Sequence, residues 1–262
     1  FKHDAYRIFT NNPVGAAMRG HGVTHTRFAA EIQMEMMAEE LGLDFLEVRL
    51  KNAVTAPHKT INGVTVTSCG LKEGLELLSE SPAWKQRDKQ KEKPGPVAHG
   101  VGISGTSYLG GARQRGHQSC AAVVRLCEDG TVNYLTGATD CGQGSDTALV
   151  QIVAEVLGLG IEDVGIKRVD TAYTPCDAGS YGSRVTDLAG QAAMKAAQDV
   201  RRQLAEFAAG KWQADPDDIE FKNHQVFVKG DPEKSLEFRK LTQAACYSRT
   251  GMVIVGKGYS QV

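Results

Sequence analysis

The sequence predicts an α+β fold built as two mixed α/β layered subdomains. Helical spacing dominates the first 84 residues, a solvated charge run interrupts the chain at 85–97, and strand-like segments mixed with helices fill 98–262. Residues 24–41 read as a helix. Phe28, Ile32 and Met36 recur at intervals of four, Ala29 and Met37 widen the stripe, and Gly42 stands where a terminating glycine belongs. That spacing predicts a core-facing stripe, with Met34, Met36 and Met37 as core filler. Asp44, with Glu47 three residues later, opens a second helix through Leu50. The run after Trp84 mixes both charge signs and closes on Pro94-Gly95-Pro96, which predicts a linker and the subdomain boundary.

Beyond the linker, residues 99–108, 121–126 and 131–136 read as extended, the last two joined by a turn at Glu128-Asp129-Gly130. Residues 145–157 form a helix with Leu149, Ile152, Val153 and Val156 on one face and Gly158 as its stop. Residues 164–169 read as a strand and 186–209 as a long Ala-rich helix. Asp215 before Pro216 caps a short turn that leads into a hairpin ending near Lys229. No internal repeat is visible.

Composition narrows the function classes. A formal net charge of -1 gives no electrostatic footprint for nucleic acid or an anionic membrane. No apolar run approaches the roughly 20 residues that span a bilayer, and the opening Phe1-Lys2-His3-Asp4 shows neither an initiator Met nor a charged-then-apolar segment, as expected of a piece of a longer polypeptide. The 6 cysteines are scattered without a C-x-x-C pair, so the chain itself houses no zinc ribbon or iron–sulfur cluster. Dispersed thiols fit a reducing, cytoplasmic setting. Glycine is over-represented, at 29 of 262 residues against a usual share of about 7%.

The glycines cluster. Gly100-Val101-Gly102-Ile103-Ser104-Gly105 matches the dinucleotide G-x-G-x-x-G spacing, which requires a preceding strand and a helix opening at its last glycine. Here a strand-like run follows instead, so the segment reads as a Gly-rich strand. Three other clusters each precede a helix: residues 15–22, Gly142-Gln143-Gly144, and Gly179-Ser180-Tyr181-Gly182-Ser183. Small residues at helix N-termini offer unpaired N–H groups and a favourable dipole to a large anionic ligand. Arg19 adds a forked donor.

These three clusters carry a resemblance. Thr10-Asn11-Asn12-Pro13-Val14-Gly15-Ala16-Ala17-Met18-Arg19-Gly20-His21-Gly22 resembles the (T-N-x-P)-x-G-A-x-R-G-x-G stretch of the molybdenum hydroxylases, the xanthine dehydrogenase and aldehyde oxidase family. Gly142-Gln143-Gly144-Ser145-Asp146-Thr147 resembles that family's G-Q-G-x-x-T loop. Gly182-Ser183-Arg184-Val185-Thr186-Asp187, with Gly190, resembles its third cofactor loop. Order and spacing match across nearly the whole chain. The nearest branches are nicotinate dehydrogenase, xanthine dehydrogenase and 4-hydroxybenzoyl-CoA reductase.

The resemblance implies subdomains of the molybdopterin-cofactor-binding type and two-electron oxidation or reduction at a carbon. Molybdenum would be carried on molybdopterin, in bacteria often its cytosine dinucleotide form. Ala17, Met18 and Arg19 are then cofactor contacts. Gln143, between Gly142 and Gly144, donates toward an oxygen ligand of the metal, and Gly182 and Ser183 line the pterin side. No side chain here ligates the metal directly.

His21 takes the place of the aromatic residue that faces substrate in the family. It serves either as a polar substrate wall or as a hydrogen-bonded structural histidine. Carbon monoxide dehydrogenases carry a cysteine where Gly20 stands. Ala112 and Arg113 fall near the other substrate wall. The family's catalytic glutamate, in a G-V-G-E motif, would lie beyond Val262, so the chain is expected to be an inactive part of a larger, oligomeric assembly. Its partners would be the rest of the molybdenum subunit, an iron–sulfur subunit and a flavin (FAD) subunit. The alternative is an inert interaction fragment that keeps the fold without cofactor.

Overall fold

A computed structural model describes residues 4–13, 15, 18–61, 63–91, 95–108 and 119–261. The chain divides into two compact units, 1–108 and 109–262.

In the first unit, helix α1 (Val23–Glu40) ends where Gly42, at φ 65°, lets the Leu43 N–H reach the Ala38 carbonyl at 2.8 Å. Helix α2 (Phe45–Asn52) is capped by Asp44, whose Oδ1 accepts from the Leu46 and Glu47 N–H groups. A two-residue ribbon pairs β1 (His58–Lys59) with β2 (Thr65–Val66). Then come α3 (Leu71–Ser79), α4 (Pro82–Lys85) and α5 (Arg87–Lys91). Leu46, Leu75 and Trp84 form a small core, with the Phe45 ring edge-on to Trp84 at 5.0 Å.

Two expectations change here. The charge run at 85–97 is helical over Arg87–Lys91, because the Arg87 guanidinium stacks over Trp84 at 4.2 Å and bonds Asp44 at 2.6 Å. The chain then stays with the first unit as far as Tyr108: Val101 and Ile103 pack on the Trp84 core, and the Gly105 N–H bonds Glu31. The expected Gly-rich strand at 99–108 is irregular instead. Its backbone is held by side chains, Glu31 and the Arg27 Nε that donates to the Gly105 carbonyl at 2.5 Å, rather than by a neighbouring strand. No helix opens at Gly105, which removes the basis for the dinucleotide reading.

The stripe expected to face a core on α1 is a further correction. Phe28 is 72% exposed, Met36 63% and Met37 57%, while the buried positions of α1 are Glu31 and Ala38. Glu31 faces inward because Arg49, itself buried, meets it at 2.8 Å.

The second unit carries a four-stranded sheet in the order β5-β4-β3-β9. Strands β3 (Ser119–Leu126) and β4 (Val132–Thr136) form an antiparallel hairpin with Val124 opposite Tyr134. Helix α6 (Ser145–Leu157) is the crossover that brings β5 (Val164–Arg168) parallel to β4. Residues Val185–Ala189 form a π-turn that runs into α7 (Gly190–Trp212).

A smaller antiparallel sheet joins β6 (Ile219–Lys222), β7 (Gln225–Val228) and β8 (Asp231–Glu237), followed by α8 (Phe238–Cys246) and β9 (Val255–Gln261). Leu149, Val153, Leu157, Ala192, Ala196, Val200 and Leu204 bury α6 and α7 in one core with the inner face of the sheet. Strand β9 presents Gly256 and Gly258 to α7, where a Cβ would overlap the carbonyl oxygens of Ala196 and Ala192. The small sheet is tied to the end of α6 through His224, whose N–H donates to Gly158 and whose ring nitrogen meets Asp163 at 2.6 Å. Among the described residues, no helix is long and apolar enough to cross a membrane.

Candidate functional site

The arginine stretch belongs to the first unit. Gly20, His21 and Gly22 all have positive φ, at 102°, 51° and 84°. The turn closes through His21 N–H to Met18 O and Val23 N–H to Gly20 O, both 3.0 Å. Helix α1 starts directly after it with no side-chain cap. Met18 and Arg19 are exposed on this turn. The His21 ring lies edge-on to Tyr108 at 6.2 Å. Ala17, Ala112 and Arg113 lie outside the described residues.

The other two clusters lie together in the second unit. The Thr139 N–H donates to Ser180 Oγ at 3.2 Å, and the Ser180 hydroxyl donates back to the Thr139 carbonyl. Gly137 lets the two loop segments close beneath them, since a Cβ there would overlap the Pro175 carbonyl oxygen. Gly142 and Gly144 adopt left-handed conformations at φ 98° and 80°, with no atom within 4 Å of where a Cβ would stand. The backbone is therefore open to an approaching group. Helix α6 begins at this loop without a side-chain cap on Gly144.

Two features qualify the picture of free donors. Asp140 accepts from Gly142 N–H through Oδ1 and from Asp146 N–H through Oδ2. Asp146 in turn pairs with Arg168. Gln143 is folded into its own loop: Nε2 donates to the Thr139 carbonyl and Ser145 Oγ, and Oε1 accepts from Cys141 N–H. Gly182 and Ser183, at φ 63° and 57°, form the tight approach to the π-turn.

Beneath this loop lies a buried charge network that sequence reasoning missed. Arg184 is fully buried. Its Nη1 donates to Asp177 Oδ1 and the Gly179 carbonyl, each at 2.8 Å. Its Nη2 donates to the Ser119 carbonyl and Cys120 Sγ, each at 2.9 Å, while the Cys120 thiol donates to Asp177 Oδ2. Burial, reinforced by the Asp177 carboxylate, pushes the Cys120 thiol up to about 12. Burial alone disfavours the Arg184 charge, but the hydrogen bond and charge of Asp177 outweigh it and the net shift is upward. The available signal was an arginine set among small and apolar residues at a helix start, with an aspartate seven residues earlier.

Residues 77–261 match a molybdopterin cofactor-binding domain, and residues 1–53 match a second domain of that description. The chain belongs to the molybdopterin cofactor-binding domain family. It is 32% identical over 251 residues to a xanthine dehydrogenase molybdenum-binding subunit from Escherichia coli O157:H7, covering 94% of this chain and 33% of that protein. It is 33% identical over 196 residues to the aldehyde oxidoreductase of Megalodesulfovibrio gigas, covering 74% of this chain and 21% of the relative. The fold matches quinoline 2-oxidoreductase from Pseudomonas putida 86 with a TM-score of 0.73, at 24% identity over 93% of this chain and 33% of that one. The chain thus spans about a third of the length of the curated relatives it matches.

Proposed function

We propose that this chain forms the cofactor-binding portion of a molybdenum hydroxylase large subunit. The complete enzyme would hydroxylate, or reductively dehydroxylate, an aromatic heterocycle, an aldehyde or an aromatic acyl-CoA. Electrons would pass through iron–sulfur and flavin partners. The observation that carries the reading is the joining of two expected cofactor loops by the Ser180–Thr139 pair, with Gly142 and Gly144 open beside an uncapped helix. Six free cysteines agree with a cytoplasmic setting.

The residues fit an anionic pterin group by their chemistry. Open glycine backbone at the start of α6 admits phosphate or pterin oxygens, and Arg19 offers a permanent charge on an exposed turn. Bound, a molybdenum–pterin group supplies two-electron redox chemistry. Ala17, Met18 and Arg19 would contact it, and Gly182 and Ser183 would line its pterin side. Gln143, whose amide nitrogen donates to the Thr139 carbonyl and Ser145 Oγ, would donate toward an oxygen ligand of the metal. Asp140 fixes the loop's shape by holding two N–H groups. His21 serves as a substrate wall. The cytosine dinucleotide form of the pterin is our expectation for a bacterial relative.

The test is Gln143→Ala in the assembled enzyme, read by molybdenum and pterin stoichiometry together with turnover. A loss of turnover, of bound metal or of both is expected. Wild-type values of both would overturn the Gln143 role, and a complete enzyme devoid of molybdenum and pterin would favour an inert interaction module.

A further inference from the structure

Helix α1 has its polarity inverted for a lone layer. Its inward face carries the buried Glu31, bonded to Arg49, and Ala38. Phe28, Ile32 and Met36, spaced four apart on one stripe, are 72%, 40% and 63% exposed, with Ala29 exposed beside them. A helix of this kind ordinarily turns its apolar stripe to a core, and a contiguous exposed apolar patch marks a contact surface.

We propose that this stripe is where the rest of the molybdenum-binding subunit packs, through an apolar surface supplied by the two thirds of the relatives' length that this chain does not span. The inference rests on the reading of the chain as part of such a subunit. The E. coli O157:H7 relative is matched over 94% of this chain but only 33% of its own length, so most of such a subunit lies outside the described residues. The chemistry of the stripe favours that occupant over a separate subunit. Interfaces between separable proteins are about as polar as ordinary surface, whereas permanent ones resemble a core cut in half. Here Glu31 turns inward to Arg49 while the large apolar side chains Phe28 and Met36 turn outward.

The experiment is peroxide oxidation of Met36, followed by peptide mass spectrometry, in this chain alone and in the complete subunit assayed for molybdenum and pterin. Oxidation is expected to be fast in this chain and roughly tenfold slower in the complete subunit. Equal rates in the two would overturn the inference even if the subunit holds its cofactor. Slow oxidation already in this chain would overturn it, because the stripe would then be covered without the rest of the subunit. Slowing only on addition of iron–sulfur or flavin subunits would assign the surface to them. A protected Met36 in a subunit lacking molybdenum and pterin would uphold the packing while defeating the functional reading. Ile32→Glu gives a second check: it should leave the denaturation midpoint of this chain unchanged and lower that of the complete subunit.

Discussion

Arg184 and Asp177 form an ion pair at 2.8 Å with both side chains sealed from solvent, 0% and 3% exposed. Removing one member leaves the other charge stranded. Arg184→Met is expected to destabilise the second unit by about 3–5 kcal/mol, measured by urea denaturation. Arg184→Met with Asp177→Asn should cost less than Arg184→Met alone, because no buried charge then lacks a partner. Equal costs would remove the pair from the account of this loop.

The Cys120 thiol adds a pH dependence. Its folded value of about 12 lies above the unfolded value of about 8.5. Its contribution to stability is therefore whole below about pH 8.5 and is lost as pH rises toward 12, at up to about 1.4 kcal/mol per pH unit. Denaturation midpoints at pH 7 and pH 10 should differ less in Cys120→Ala than in the unaltered chain. At pH 8, a thiol reagent should label the exposed Cys69, Cys141 and Cys176 first and Cys120 last.

Gly258→Ala is expected to destabilise by about 1–3 kcal/mol or more. The added methyl would meet the carbonyl oxygen of Ala192, which is helix backbone and cannot rotate away. Gly142→Ala is the control of opposite kind: it has open space, so its cost is the left-handed backbone alone, about 1 kcal/mol. Thermal unfolding of the two variants separates steric overlap from backbone preference.

Ser180→Ala should release the loop at Thr139. The expected cost is about 1 kcal/mol, with faster hydrogen exchange at the Thr139 amide and little change in the core strands. Unchanged exchange at Thr139 would show that the loops hold their shape without the tie.

Much of this architecture is legible in the amino-acid sequence. The α6 boundaries followed from Leu149, Val153 and the Gly158 stop, and the start of α2 from the Asp44 cap, because each signal is local, whereas α2 runs on past the expected Leu50 to Asn52. Strand β9 was invisible because its inward positions include Gly256 and Gly258, so burial left no apolar alternation to read. Strand β8 begins Asp-Pro-Glu-Lys at an exposed sheet edge and looks like a loop. The inward turn of Glu31 depended on Arg49, 18 residues away, and no periodicity argument reports such a pairing. At the candidate site the glycine clusters stood out, whereas Asp177 and Ser180 act through bonds to residues far away in the sequence.

The pairing of β3 with β9 has a consequence for the newborn chain. Ser119–Leu126 finds one neighbour immediately in Val132–Thr136, but its other flank waits for Val255–Gln261. At about 5–20 residues per second of synthesis, that wait is on the order of 6 to 26 s. Throughout it, a strand rich in alanine and valine offers an open row of backbone donors and acceptors to any passing polypeptide. On the ribosome, this stretch of β3 is where a chaperone would be needed most.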